Sequence, residues 1–361
     1  MIMNEECIVF TGGGTAGHVF PGLAIIGSLS GRWEGSIAWV GSSNGMEKDI
    51  VESEDIPFYG IRSGKLRRYF SFRNFSDIIN IIAGFFMAFR LLSRLKPVAL
   101  FSKGGYVSVP VVIAARILGI YTLTHESDYS PGLANRINSH FVHHILVSFE
   151  GTRNFFPPKV RNKVIVSGNP VREELSSGSR ERARTRLQLS DSLPVLLVLG
   201  GSQGARQINQ LIGDVNIRLY QRCYIIHQMG KLEYQPSGND HYITFPFIGA
   251  ELRDFFAVAD IVVSRAGANT LWEIGKLGKP SVLIPLTGSA TRGDQVKNAE
   301  QFAQEGAAIV LNNQDVTAEN LYRTLEFLLD HPEERKQMGA RAAQICARDA
   351  NQIITNLLIG G

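Results

Sequence analysis

His18 stands immediately after GGGTAG, where an imidazole would be held beside whatever a glycine-rich turn binds and could take or steer its proton. Helix capping or packing is the ordinary duty of a lone histidine at such a place. A second polar group, THESDYSPGLANR, supplies His125, Glu126, Asp128 and Asn135, although turn and cap duty also suits Asp128. In SRAGANTLWEIGKLGKP, Glu273 lies just over one helical turn beyond Ala268, Asn269 and Thr270. A carboxylate there can accept hydrogen bonds from vicinal ribose hydroxyls while the N–H groups of the turn face phosphate. GSATRGDQVKNAE adds Asp294, Gln295 and Asn298. Two separately placed loops of this hydrogen-bonding character favour a nucleotide-sugar ligand. The chain has no Asp-x-Asp pair, so a metal clamp on a diphosphate is not indicated and helix N-termini would have to meet that charge. Cys7, Cys223 and Cys346 are scattered, with no pair at metal-ligand or redox spacing, and a zinc-free protein of a reducing compartment is expected.

The elements that must position these residues repeat one device. Cys7 to Phe10 reads as a short buried strand that turns through TGGGTAGHVFPGLAIIGSL into a helix. Leu193 to Leu199 reads as another, turning through GGSQGARQINQLI into a helix. Each has the strand, turn and helix order of a nucleotide-binding half. KPVALFSKGG at 96–105 and ADIVVSRAG at 259–267 form a second matched pair, strands that end in a polar, glycine-containing turn. Ile37 to Val40, Tyr121 to Thr124, Ile145 to Val147, Tyr224 to His227, Ser281 to Ile284 and Ala307 to Val310 are further candidate strands, interspersed with helical patterns. The expected architecture is α/β, with two Rossmann-like doubly wound parallel-sheet domains. A chain of 361 residues, 44% hydrophobic and 19% charged, can fill two such cores. Lack of a uniform short repeat argues against a barrel. The expected domains are residues 1–163 and 164–340, with a last strand that ends at the Gly-Asn-Pro turn of VIVSGNPVREEL (Val164 to Leu175), the crossing near there, and a helical segment 341–361 returning to the first domain.

Charge is unevenly spread. Residues 1–163 carry 17 Lys and Arg against 12 Asp and Glu, whereas the rest carries 20 against 21, so the net charge of +4 arises in the first half. Arg62, Lys65, Arg67, Arg68 and Arg73 follow one another with no acid between them. Nucleic acid or an anionic membrane surface would fit this patch, and a solvated basic loop is the plain alternative. The next segment, NFSDIINIIAGFFMAFRLLSRLK, places Phe75, Ile78, Ile79, Ile82, Phe85, Phe86 and Phe89 on one broad helical face, while Ile81, Met87, Leu91 and Leu92 extend the apolar surface around it. Only 12 uncharged residues separate Asp77 from Arg90, short of the ~20 needed to cross a bilayer. The helix is therefore expected to lie on an anionic membrane, with Arg67, Arg68 and Arg73 at headgroups and Phe75, Ile79, Ile82 and Phe86 inserted. A core helix covered on both sides is the alternative. Glu5 and Glu6 occupy positions where a secretory signal would carry positive charge, so no leader is expected.

Together, GGGTAGHVFPGLA, HESD followed by GLANR, GNPVR, GGSQGA and SRAGANTLWE make the chain similar, over almost its whole length, to the MurG family of inverting glycosyltransferases of bacterial peptidoglycan synthesis. The resemblance implies the GT-B arrangement, two Rossmann-like domains facing across a cleft. It implies transfer of N-acetylglucosamine from UDP-GlcNAc to the C4 hydroxyl of the muramyl sugar of lipid I, undecaprenyl-pyrophosphoryl-MurNAc-pentapeptide, giving lipid II. It further implies a peripheral enzyme at the cytoplasmic face of the bacterial inner membrane, with no cofactor and no nucleic-acid partner. By resemblance His18 is the catalytic histidine, and Gly13, Tyr106, Glu126 and Asn135 border the acceptor. The donor contacts so implied are Gly14, Thr15, Ala16, Gly17, Asp128, Arg172, Ser202, Ile248 near uracil, Ala268, Asn269 and Thr270 at the phosphates, Glu273 at the ribose, and Gln295. The family commonly has asparagine where this chain has Asp128, an exchange that removes an amide donor and adds charge. Asn269 also replaces a usual apolar or small residue. Another lipid-acceptor GT-B enzyme, a nucleotide-sugar epimerase and a non-catalytic nucleotide-binding or membrane-recruitment protein remain as alternatives. An oxidoreductase is disfavoured because the first loop lacks the usual dinucleotide spacing.

Overall fold

Short apolar runs buried on both faces are what an all-parallel sheet requires, and Ile8, Val9 and Phe10 or Leu196, Leu197 and Val198 are such runs, each with essentially no exposed surface. The computed structural model describes residues 6–64, 73–190, 192–201, 204–288 and 292–361. It divides the chain into two units, one extending to Val171 and including Arg348–Gly361, the other Arg172–Ala347.

In the first unit β1 (Cys7–Thr11), β2 (Ser36–Ser42), β3 (Phe58–Ile61), β4 (Ala99–Ser102), β5 (Tyr121–Glu126), β6 (His144–Val147) and β7 (Val164–Val166) form a sheet of order β3-β2-β1-β4-β5-β6-β7 among the described residues. Every pairing is parallel. The accompanying helices are α1 (Phe20–Leu29), α2 (Glu47–Glu52), α3 (Arg73–Leu95), α4 (Ser108–Ile117) and α5 (Leu133–Asn138).

The second unit repeats the plan with α6 (Arg180–Leu187), β8 (Val195–Leu199), α7 (Arg206–Leu219), β9 (Tyr224–Gln228), β10 (Tyr242–Phe245), α8 (Leu252–Val258), β11 (Ile261–Ser264), α9 (Ala268–Lys276), β12 (Ser281–Leu283), α10 (Asp294–Gln304), β13 (Ile309–Val310), α11 (Ala318–Asp330) and α12 (Pro332–Ile345). Its strands are ordered β10-β9-β8-β11-β12-β13, again all parallel. In each sheet the winding reverses where the first strand meets the fourth, β1 beside β4 and β8 beside β11. Both glycine turns leave the sheet at that reversal, where open α/β sheets bind ligands.

The unit boundary differs from the sequence expectation. β7 pairs with β6, so the first unit runs to Val171 rather than 163. The return begins at Arg348 rather than 341, because α12 stays with the second unit and α13 (Ala350–Ile359) joins the first. Ile354 and Leu358 enter the core around Ile8, Phe10 and Leu123. Within the first unit Asn351 ties α13 to the end of the N-terminal segment, donating from Nδ2 to the Val171 carbonyl, 2.9 Å, and accepting from the Val171 N–H, 3.3 Å. Two edge strands, β3 and β10, had no counterpart among the expected strands.

Helix α3 splits its apolar surface. Ala88 and Leu92 are fully buried, and Phe85, Phe89, Leu91 and Leu95 pack on the core beside them. Gly84 lets this side approach the Arg62 carbonyl so closely that a Cβ would collide with it. Ile78, Ile79, Ile82 and Phe86 remain exposed on the other side, Phe86 at 64%. The expected single broad face thus divides, with Phe85 and Phe89 turned inward. Over Asp77–Leu95 the mean hydropathy is 1.6, and the stretch is long and apolar enough by composition to cross a membrane. Arg67 and Arg68 lie outside the described residues, as do the side chains of Arg73 and Phe75.

Candidate active site

The first glycine turn is shaped from below by a buried carboxylate. Glu47, at the start of α2, has no exposed surface, accepts from the Gly14 N–H at 3.1 Å and accepts from the Ser42 N–H at 2.8 Å. A Cβ on Gly13 would collide with that carboxylate. Gly14 has φ +86°, and a Cβ there would meet the Tyr106 ring at 2.6 Å, so only glycine fits both the backbone and the space. Beyond it Ala16–His18 form a 3₁₀ turn closed by the His18 N–H to the Thr15 carbonyl, 3.0 Å, and α1 starts at Phe20 with a proline in its first turn. His18 therefore precedes the helix instead of opening it. The Gly14 and His18 N–H groups are both spent within the protein.

The turn after β4 closes on the same place. Gly105, at φ +81°, backs onto Gly13, and its Cβ position lies 3.2 Å from His18 Cδ2. The Cβ position of Gly104 lies 2.8 Å from Asn135 Nδ2. The fold thus brings His18, Gly13, Tyr106 and Asn135 together from three separated segments.

Glu126 and Asn135 are committed to building their loop. Glu126 accepts from the Asp128 N–H (3.0 Å), the Gly132 N–H (2.9 Å) and Asn135 Nδ2 (2.9 Å). Asn135 also donates to the His125 carbonyl at 3.0 Å and accepts from Thr124 Oγ1 at 2.8 Å. These two hold the loop after β5 in shape. His125 is fully buried and donates from Nε2 to the Gly168 carbonyl, 2.9 Å. Burial first, and then Lys103 nearby, hold its pKa well below the usual 6.5, so it is a neutral strut.

In the second unit, Gly200 and Gly201 leave β8, and Ala205 precedes α7. Ser202 lies outside the described residues. Gln228, at the end of β9, donates from Nε2 to the Gly201 carbonyl at 2.8 Å and accepts the Ile248 N–H at 2.8 Å. It thereby ties the second glycine turn to Ile248, whose side chain is buried and whose N–H is already used. Arg265, after β11, donates to Gln207 Oε1 and to the Ile284 carbonyl, both 2.9 Å, stapling the start of α7 to the end of β12.

Helix α9 begins after Gly267, with Ala268, Asn269 and Thr270 in its first turn and no hydrogen bond from a capping side chain at Gly267. Asn298 donates to the Ala266 carbonyl, 3.3 Å, and supports the turn from α10. Glu273, a little over one turn into α9, receives both Nε and Nη2 of Arg172 on Oε1, at 3.1 and 3.0 Å. Its carboxyl pKa is raised above 4.5 by burial, against the opposing pull of Arg172. Gln295 Oε1 accepts the Leu286 N–H, 2.9 Å, and shapes the loop before α10. Arg172, Ala268, Asn269, Thr270 and Glu273 are thus one local group. Among the described residues no three His, Cys, Asp or Glu side chains gather as metal ligands would.

Sequence reasoning missed Glu47, Gln228 and Arg265. Glu47 looks like an ordinary acidic first-turn residue, Gln228 like a strand end, and Arg265 like a loop cation. Only the three-dimensional pairing separates them from those roles.

Comparison with known proteins agrees with this arrangement. The model of the glycosyltransferase family 28 N-terminal domain matches residues 8–147, and that of the family 28 C-terminal domain matches residues 195–354. A curated relative from Treponema denticola, named UDP-N-acetylglucosamine--N-acetylmuramyl-(pentapeptide) pyrophosphoryl-undecaprenol N-acetylglucosamine transferase, is 44% identical over 98% of this chain and 97% of its own. The crystal structure of Acinetobacter baumannii MurG superposes with a TM-score of 0.77 at 27% identity, covering 99% of this chain and 100% of that one. A UDP-GlcNAc 2-epimerase from Neisseria meningitidis shares the fold, with a TM-score of 0.69 at 15% identity over 99% and 100% of the two chains. Both sheets have the doubly wound order of the GT-B fold. The chain belongs to glycosyltransferase family 28.

Proposed function

We propose that this protein transfers N-acetylglucosamine from UDP-GlcNAc to the C4 hydroxyl of the muramyl sugar of lipid I, forming lipid II with inversion at the anomeric carbon. The observation that carries the reading is the 44% identity, across 98% of the chain, to a relative named for this transfer. The local geometry supports it in both units.

The donor binds the second unit. Glu273 keeps Oε1 on Arg172 and offers Oε2 to the ribose hydroxyls, while the N–H groups of the first turn of α9 meet the diphosphate. As the sugar leaves, negative charge grows on UDP, and these fixed donors stabilise it without reorganising. Ile248 borders the base, held there by Gln228. Ser202 and Gln295 are the further donor residues of this unit.

The acceptor binds the first unit, between the turn carrying Gly13 and His18 and the loops of Tyr106, Glu126 and Asn135. His18 accepts or orients the proton of the attacking hydroxyl as that oxygen bonds the anomeric carbon from the face opposite UDP. The exposed Ile78, Ile79, Ile82 and Phe86 dip into a membrane surface while the opposite side of α3 stays packed on its own core. A helix packed in this way lies on a bilayer rather than across it. Arg67, Arg68 and Arg73 attract anionic headgroups, placing the protein at the cytoplasmic face of the inner membrane.

Release of UDP from UDP-GlcNAc, measured with and without a lipid I analogue, tests the reading. Release that depends on the acceptor is expected. Conversion of UDP-GlcNAc to its epimer without acceptor would overturn it.

A further inference from the structure

Lys103 ends the strand run that carries the Gly104–Gly105 turn, and its side chain is 2% exposed. Its Cβ lies 3.0 Å from the Cβ position of Gly12, directly behind the first glycine turn. Its Nζ donates to Ser127 Oγ at 2.6 Å, and Ser127 donates in turn to Asn169 Oδ1. One buried ammonium thus joins the end of β4, the loop after β5 and the turn after β7.

Ser127 stands between two carboxylates. Glu126 is buried and its carboxylate folds back onto the Asp128 N–H, so Glu126, Ser127 and Asp128 form one tight bend. Like charges so placed repel unless a cation is near. Burial draws the Lys103 pKa down to about 8, while Glu126 and then Asp128 pull it upward. The ammonium and Glu126 face one another across a dry interior, where such interactions are least screened, and half-buried Asp128 lies at its edge.

We propose that Lys103 is a positioning residue for the transfer reaction, fixing the Glu126–Asp128 bend through Ser127 and serving as the buried counter-charge for the Asp128 carboxylate, so that positions 103 and 128 act as a matched pair. Without the ammonium, two carboxylates remain in one bend and the loop opens. Removing the second carboxylate as well relieves the repulsion. The inference rests on the transfer reading above.

The test is a double-mutant cycle of Lys103→Met, Asp128→Asn and the double variant. Transfer from UDP-GlcNAc to a soluble lipid I analogue, calorimetric UDP binding and thermal melting are read for each. Lys103→Met should lower kcat by about tenfold or more with UDP affinity within about twofold, because its loop lies in the acceptor-binding unit. Adding Asp128→Asn to it should restore activity by about fivefold or more, although Asp128→Asn alone lowers the activity of the parent. A double variant whose loss equals the product of the single losses would overturn the pairing. If Lys103→Met does not fold, recovery of a cooperative melt in the double variant supports the pairing, and failure of both to fold overturns it. A parent protein that transfers no sugar would instead contradict the transfer reading, while the melting cycle still reports on the pair.

Discussion

Arg172 donates two hydrogen bonds to a single oxygen of Glu273, Oε1, and leaves the second carboxylate oxygen to other partners. The two side chains come from the unit junction and from α9, 101 positions apart in the chain. The proposed ribose-binding group is thus oriented by its own arginine before any nucleotide arrives. Glu273→Ala should weaken UDP-GlcNAc binding by about 1–3 kcal/mol, the range for a charge-assisted hydrogen bond in a partly dry site. Calorimetry on the folded variant checks this, and an unchanged affinity would remove Glu273 from the donor site.

The raised pKa of Glu273 adds a pH signature. Ionised Glu273 is the acceptor form, so donor affinity should fall as pH drops through its raised pKa, at a pH above the 4.5 of an ordinary glutamate. The sign for stability is opposite. An acid that binds its proton more tightly when folded contributes stability at low pH and loses it as pH rises from 4.5 through the raised value. UDP titrations across the acid range should show the affinity loss in the parent and not in Glu273→Gln.

His18 has a different expected signature. It abuts Gly105 and lies in the first unit, away from the Arg172–Glu273 group in sequence and in unit. His18→Ala should bind UDP nearly normally and lose ~10²-fold or more in turnover, the usual size of a lost general base. Turnover within twofold of the parent would contradict the assignment.

Glu47 is a structural support with a functional consequence. Its carboxylate accepts from Gly14 and Ser42 with no exposed surface. Glu47→Ala should cost at least about 1.5–3 kcal/mol of stability, the worth of one buried hydrogen bond to a charged group. It should also lower turnover by loosening the turn that carries His18. Thermal melting and kinetics read the two effects, and an unchanged melt would refute the support role.

Much of this was legible in the chain because buried parallel strands are short and the central ones are mostly apolar. Cys7–Phe10 and Leu193–Leu199 announce buried strands, and the glycines after them announce turns. The edges were harder. In β3, FYGI carries a glycine and is only partly buried, and in β10, YITF keeps three of its four residues partly exposed, so neither shows a continuous apolar run. The boundary moved because β7 is just three residues long and its pairing with β6 is a long-range fact. Glu47, Gln228 and Lys103 were invisible as a group, since each acts through a partner that only the folded chain brings near.

For membrane docking, Ile79→Asp with Phe86→Asp should reduce liposome binding while sparing UDP affinity and the melting temperature, because both side chains are exposed. Arg67→Glu with Arg68→Glu should weaken binding to anionic vesicles by about 1 kcal/mol or more per charge and leave neutral vesicles little affected. Equal cosedimentation of parent and variants would leave α3 as an ordinary surface helix.

The most direct measurement is the structure of the product. Purified protein, UDP-GlcNAc and a lipid I analogue should yield UDP and a lipid-linked disaccharide in which mass spectrometry finds one added N-acetylhexosamine and proton NMR finds a β linkage to C4. An α-linked product, or UDP-GlcNAc turned over with the lipid unchanged, would contradict the account.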